Sequence, residues 1–326
     1  NITYRSSIKN FTFHNNTIFN KKKKFNKKRI ILMEHYPVWS SLIVYSYLSN
    51  ALSEKFNANI ISYSPFQKNF FTKILYLISF KMGLYTFSIT KSFGVKDILM
   101  PSNKTKKKKY DYITNTGDII FLAVKPQQMK ETIQPFLNLN FKDNVYISIA
   151  AGLSISWFQN QINKNAKIIR TMPNLPASIG FGVTGYCQTN NLSDKDINDA
   201  NDLLCAFGKA IYLSSEKLID VVTAISGSGP AYIFYLVEVL SKIGKENGLL
   251  EQDSKTLALE TLIGSAKLLE VSKMDAEILK KNVTSPGGTT EAGLEILESM
   301  ETGLYPLLDL TIKNAKKRAL DLNKNG

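Results

Sequence analysis

Two stretches of this 326-residue chain hold residue types that could bind or move small polar groups, Asn282-Val283-Thr284-Ser285-Pro286-Gly287-Gly288-Thr289-Thr290-Glu291 and Ser226-Gly227-Ser228-Gly229-Pro230-Ala231-Tyr232. In the first, a Gly-Gly pair before a helix-like run exposes consecutive backbone N–H groups at the positive end of a helix dipole, which is a place to hold a small carboxylate. The same pattern is also met by an ordinary helix start capped by Ser285 or Thr289. The second has the look of a nucleophile elbow, but Ser226 stands where that motif needs glycine and no histidine is at hand to activate Ser228. Small residues followed by Pro230 suit close helix packing or a bend instead. A third pattern, Gly180-x-Gly182-x-x-Gly185, matches the dinucleotide fingerprint in letters only. The fingerprint should follow the first strand and open a helix, whereas this one runs into a strand-like segment.

Histidine and cysteine exclude more than they suggest. His14 and His35 are the only histidines, so a Ser-His-Asp hydrolase, a His-ligated zinc site and a His-based dehydrogenase are all disfavoured. Cys187 and Cys205 are too far apart for a CxxC motif, which fits a reducing compartment.

The elements that must position these residues are readable from the apolar runs. Residues 29–33, 58–64, 118–126, 145–152 and 166–174 read as strands, with 182–188 and 208–214 as two more, and helix-length segments separate several of them, at 38–56 and from Ser154. Alternation of strand and helix predicts a parallel sheet covered on both faces. From about Leu218 the pattern changes to long amphipathic stretches, with apolar residues three and four apart at Ile233, Leu236, Val237 and Leu240. The predicted organisation is a basic low-complexity tail over 1–28, a nucleotide-binding α/β domain over 29–215 with a Lys-rich insertion near 100–110, and a helical domain over 216–326. The small residues on the helices suit packing across a subunit interface or, equally, an intrachain core.

The net charge of +14 first suggests nucleic acid. Its location removes that meaning: the first 33 residues carry nine cations without an acid, residues 103 to 109 carry five more, and these two stretches account for the whole excess. With only four arginines among 41 basic residues, the bidentate fork used to read phosphates and base edges is scarce. No nucleic-acid partner is expected. No run reaches the roughly 18 uninterrupted apolar residues of a membrane span; the nearest, Phe70 to Thr90, contains Lys73 and Lys81. Cytoplasm is the expected location, and the basic N-terminus is compatible with organellar targeting as well.

Taken together, AISGSGPAY (224–232), NVTSPGGTTEAG (282–293) and RTMPNLPASIGFGVTGY (170–186), with FLAVKP (121–126) and ISIAAGLSI (147–155) upstream, resemble the Δ1-pyrroline-5-carboxylate reductase family over residues 118 to 320. The resemblance implies a Rossmann-type doubly wound parallel sheet followed by an all-helical dimerisation domain, assembling as a homodimer or a ring of dimers. It implies reduction of Δ1-pyrroline-5-carboxylate to L-proline, the last step of proline biosynthesis, with the substrate carboxylate on Ser285, Gly287, Gly288, Thr289 and Thr290. Thr290, or a water it holds, becomes the candidate proton donor to the ring nitrogen. On the cofactor side the matching positions are Ser64, Pro65, Ala123, Val124, Lys125, Pro126, Ala150, Ala151, Gly152, Met172, Pro173, Asn174, Glu216 and Asn282. No acid ends the second strand at Ser64-Pro65, so NADPH is the expected donor, with NADH possible. No metal is implied.

Three departures accompany the resemblance. Where the family has G-x-G-x-x-G/A after its first strand, this chain has Glu34-His35-Tyr36-Pro37-Val38-Trp39, without a glycine. Bulky rings and a carboxylate there would forfeit phosphate contacts worth about 1.5 to 3 kcal/mol each. Either the N-terminal sequence reflects a mis-joined exon, or the chain is a degenerate, non-catalytic homologue acting as an oligomerisation partner. The Lys-rich insertion displaces the family's Asn contact to the adenosine, and Lys273-Met274-Asp275 replaces a Glu-His-Pro-like segment. A third possibility, a β-hydroxyacid or other imine reductase, would require a catalytic Lys on the interdomain helix, where none occurs before Lys242.

Overall fold

A computed structural model describes residues 30–34, 59–63, 97–99, 119–124, 126–134 and 144–324 of the chain. Strand β1 (Ile30–Glu34), β2 (Asn59–Tyr63) and β3 (Asp97–Leu99) form one parallel sheet, and β4 (Ile119–Leu122), β5 (Val145–Ser148), β6 (Lys167–Pro173), β7 (Gly182–Gln188) and β8 (Gly208–Tyr212) form a second, each in that order. The first sheet has the order β1-β2-β3, and β1 also runs beside β4, the arrangement of a doubly wound sheet. The helix expected over 38–56, the basic tail, the Phe70 to Thr90 segment and the Lys-rich insertion lie outside the described residues.

The central strands are apolar throughout because both of their faces are covered. Phe121, Val145, Ile147 and Ile169 point to one face, against Ala200, Leu203 and Leu204 of α3 (Asp194–Cys205) and Phe207. Ile120, Leu122, Tyr146 and Ile168 point to the other, against Met129 and Ile133 of α1 (Pro126–Ile133) and Phe158 of α2 (Ile155–Gln161). The starts of α2 and α3 are fixed by side-chain caps. Ser154 Oγ accepts from Trp157 N at 3.0 Å, and Ser193 and Asp196 form a reciprocal capping box at the start of α3.

The sheet departs from the parallel expectation after β6: β7 runs antiparallel to β6, and β8, parallel to β7, shares the reversed direction. Strands β6 and β7 are joined only by Asn174 to Phe181, which holds a 3-10 turn (Leu175–Ile179), and a parallel return needs a crossover of about a dozen residues or more. The same connection explains the spacing of Gly180, Gly182 and Gly185. Gly180 ends the turn at φ 79°, a Cβ on Gly182 would stand 2.6 Å from the Ala177 backbone, and one on Gly185 2.9 Å from Val222. Packing of the turn and of Val222 requires these glycines; Gly180 ends the turn and Gly182 and Gly185 lie in β7, none of them at a helix start.

The chain divides into two compact units, Asn1–Gly227 with Ala319–Gly326, and Ser228–Arg318. The first unit ends in α4 (Leu218–Val222) and a π-helical turn (Thr223–Gly227). Beyond the division come α5 (Gly229–Glu246), α6 (Glu251–Ser272), α7 (Ala276–Asn282), α8 (Thr289–Leu297) and α9 (Leu304–Lys324), the last of which belongs to the first unit from Ala319 on. Pro230 sits in the first turn of α5, where its missing N–H has no helical partner to lose. Helices α5 and α6 pair closely: Ser254 Oγ donates to the Ser241 carbonyl at 2.6 Å, and a Cβ on Gly244 would lie 2.2 Å from that hydroxyl oxygen. Yet α5 buries no residue, α6 buries only Ser254 and Ala258, and Phe234 and Tyr235 are 59% and 64% exposed. The helices therefore do not build a core of their own within one chain.

Candidate functional site

The carboxyl ends of β4, β5 and β6 stand in a row, because Leu122 pairs with Ser148 and Ser148 with Arg170. Just past those positions come Ala123 and Val124, then Ala150, Ala151 and Gly152, then Met172, Pro173 and Asn174. Sequence reasoning singled out all eight for one ligand, and the sheet register brings them to one edge, where doubly wound sheets bind nucleotides. Ala123, Val124 and Ala150 are buried, and Gly152 takes φ 79° with a hypothetical Cβ 3.3 Å from Leu322. Alanine and glycine leave backbone rather than side chain at this edge, the surface a flat aromatic ring can approach. Such a row fits the nicotinamide half of a dinucleotide. Pro126 opens α1, while Lys125, Ser64 and Pro65 lie outside the described residues.

Loop geometry along the row is held by side chains. Ser148 Oγ accepts from Ala150 N at 3.2 Å, and the Thr171 hydroxyl donates to the Ser148 carbonyl at 2.9 Å. Asn174 Oδ1 accepts from Val183 N at 2.9 Å, so its amide closes the connection between β6 and β7.

Beneath the row lies an ion cluster. Arg170, on β6, donates from Nη1 to Glu216 Oε1 at 2.7 Å, and its Nη2 is 3.7 Å from Asp220 Oδ1 on α4. The Arg170 side chain is 4% exposed. The same Glu216 oxygen accepts the backbone amide of Ile155 at 2.8 Å. Glu216 was expected at the cofactor; in this structure its carboxylate serves Arg170 and the start of α2. Cys187 lies directly opposite Arg170 on β7, and burial pushes its thiol up to about 12, with Glu216 adding to the effect and Arg170 opposing it. Arg170 and Asp220 were missed from sequence. The available signal was a lone arginine inside the apolar run AKIIRTMP, since a charge on a buried strand requires a partner.

The other expected site lies in the helical unit. Helix α8 starts at Thr289 with Gly288 as its N-cap and no side-chain cap, so neither Ser285 nor Thr289 caps it. Gly288 N donates to the Ser285 carbonyl at 2.9 Å, and Gly287 N, at φ 70°, donates to Glu291 Oε2 at 2.6 Å. With those two amides engaged, the N–H groups of Thr289, Thr290 and Glu291 remain at the helix start, as the first turn of any helix requires. Ser285, Thr289 and Thr290 are exposed, as is Asn282 at the end of α7. A carboxylate, that of Glu291, is already bound at this turn. The arrangement can take an anion by backbone amides and present the Thr290 hydroxyl beside it. Among the described residues no group of three His, Cys, Asp or Glu could hold a metal, and no helix is long and apolar enough to cross a membrane.

Comparison with known proteins gives concordant matches. Residues 216–322 match the family model described as pyrroline-5-carboxylate reductase dimerisation, and residues 93–152 match NADP oxidoreductase, coenzyme F420-dependent. The chain is similar to pyrroline-5-carboxylate reductase of Staphylococcus epidermidis, 36% identical over 207 residues, which is 64% of this chain and 75% of that protein. It is 40% identical over 212 residues to pyrroline-5-carboxylate reductase 2 of Bacillus subtilis, covering 64% and 74%. A crystal structure of Plasmodium falciparum pyrroline carboxylate reductase with NADP bound superimposes with a TM-score of 0.68 at 26% identity, over 92% of this chain and all of that one.

Proposed function

Starting from the pyrroline-5-carboxylate reductase family, to which this chain belongs, we propose that it reduces Δ1-pyrroline-5-carboxylate to L-proline in proline biosynthesis, using NADPH in preference to NADH. The observation that carries this reading is the α8 turn: amides of Thr289 and Thr290 without an acceptor, after a Gly-Gly pair whose first amide already holds a carboxylate. An anionic ring of five atoms with its carboxylate on those amides places its nitrogen within reach of the Thr290 hydroxyl. Ala123, Ala150, Ala151 and Gly152 at the carboxyl edge of β4 to β6 would hold the nicotinamide of NADPH, which would supply the hydride for the imine carbon.

The chain's own residues do the remaining work. Ala123, Ala150, Ala151 and Gly152 admit the ring face, while Met172 and Pro173 bound it, with Asn174 fixing their loop. Thr290, directly or through a water, delivers the proton that the nitrogen needs as the C=N bond becomes a single bond, and the carboxylate anchor holds the ring still while this happens. Ser285 and Gly287 shape the turn, and Asn282 lies at its entrance. A homodimer or ring of dimers built on the helical unit accounts for the apolar side chains α5 and α6 leave exposed.

A second reading is favoured by one observation, the absence of glycine from Glu34 to Trp39. On it, the chain is a non-catalytic partner that assembles with complete reductase subunits. Fluorescence titration with NADPH, followed by loss of NADPH absorbance on adding Δ1-pyrroline-5-carboxylate, separates the two. Submillimolar binding with turnover supports the reductase; normal oligomers that neither bind nor oxidise NADPH support the partner.

A further inference from the structure

We infer that Glu216, Arg170 and Asp220 form a positioning cluster that sets the two loops at the carboxyl edge, with Glu216 acting on the cofactor through Ile155 N and Arg170 rather than by touching it. The inference rests on the reductase reading for its functional consequence, while the cluster itself stands on the contacts of Glu216, Arg170 and Asp220.

Three segments meet on one carboxylate oxygen. Ile155 N begins α2, directly after the turn formed by Ala150, Ala151 and Gly152, and donates to Glu216 Oε1 at 2.8 Å. Arg170 donates to the same oxygen at 2.7 Å. Strand residues alternate faces, so Arg170 and Met172 lie on one side of β6, two residues apart. Fixing the guanidinium fixes the height of Met172 and, beyond it, Pro173 and Asn174. Asp220 then ties the far side of Arg170 to α4, which continues into the π-helical turn. A Cβ on Gly227, the last residue of that turn, would stand 2.8 Å from Met172 Cε, so the turn packs on the same side chain the cluster positions from below.

The charges are consistent with a device rather than a surface ion pair. Arg170 and Asp220 are buried, and Glu216 keeps about a third of its side chain exposed while presenting one oxygen inward. Such a set tolerates little displacement, because moving one member strands a buried charge. The loops on either side gain a fixed separation, and a ring placed between them would find a slot of defined width.

Glu216→Ala and Glu216→Gln in the full chain test this. Glu216→Ala should raise KM for NADPH about tenfold, with kcat at saturating NADPH within about threefold of the parent. Hydrogen exchange should quicken at amides 149–157 and 171–175 and not in α3. Glu216→Gln keeps an oxygen acceptor for both donors and should restore most of the affinity and protection. A Glu216→Ala protein that merely loses thermal stability or active fraction, with KM and local exchange unchanged, would overturn the inference. If the parent chain itself binds no NADPH, the reductase reading fails instead, and the exchange pattern alone decides whether the cluster holds the loops.

Discussion

The carboxylate of Glu291 accepts the backbone amide of Gly287 at 2.6 Å, four residues back across the start of α8. This bond holds a glycine at φ 70°, a conformation in which an L side chain costs about 1 to 2 kcal/mol even where, as here, nothing lies within 4 Å of the new Cβ. On the proposed reaction, Gly287→Ala is therefore expected to raise KM for Δ1-pyrroline-5-carboxylate by about tenfold, the kinetic equivalent of that cost, and to leave KM for NADPH unchanged. Steady-state kinetics with each substrate varied in turn checks both parts.

Thr290 should separate proton delivery from binding. Thr290→Val preserves the shape of the side chain and the helix N–H groups but removes the hydroxyl, so kcat should fall about a hundredfold with KM for the imine changed little. Thr290→Ser should recover most of the rate. A Val variant as fast as its parent would exclude the hydroxyl from the reaction.

The two cysteines should behave oppositely. Cys205 is exposed, whereas Cys187 is buried with its thiol pushed up to about 12. A chromogenic disulfide reagent at mildly alkaline pH should titrate one thiol rapidly in the folded protein and both after unfolding, since the thiolate is the reactive species.

Asp196 should shape the acid limb of stability. Burial alone would raise its carboxyl, but hydrogen bonds from Lys167 and Ser193 outweigh that and leave it below its ordinary value. A depressed folded pKa stabilises the fold above the unfolded value and loses that contribution as pH falls through the folded one. Asp196→Asn keeps an acceptor for Ser193 N but removes the charge that pairs with Lys167 and faces the helix N-terminus, so it should lower stability by about 0.5 to 1 kcal/mol near neutrality and by progressively less in acid. Urea unfolding at several pH values measures the convergence.

Much of the fold is legible because β4 and β5, buried on both faces, appear as short apolar runs; β6, β7 and β8, more polar and in β8 partly exposed, also lie within the segments that the sequence marks. The reversal of β7 is not visible in its residues. It follows from the length of the link after Asn174, which matters only once β6 is known to be a neighbour. Strand β3 has three residues, Asp97–Leu99, too few for any periodicity. At the site, composition and motif marked the small-residue edge and the Gly-Gly turn, but the pairing of Arg170 with Glu216 joins residues 46 apart in sequence, a separation no local pattern spans. Ser and Thr flanking the start of α8 suit a side-chain cap as well as an anion site; backbone geometry at Gly288 serves as the N-cap, leaving Thr290 uncommitted.

Helices α5 and α6 keep Phe234, Tyr235, Leu257 and Leu268 largely in contact with solvent in the single chain. On the proposed assembly, folding of this unit becomes a mass-action problem, and dilution acts on it as a denaturant does. The midpoint of thermal unfolding should climb with protein concentration, and a helical unit expressed at low level should be lost to proteolysis before it ever meets its like.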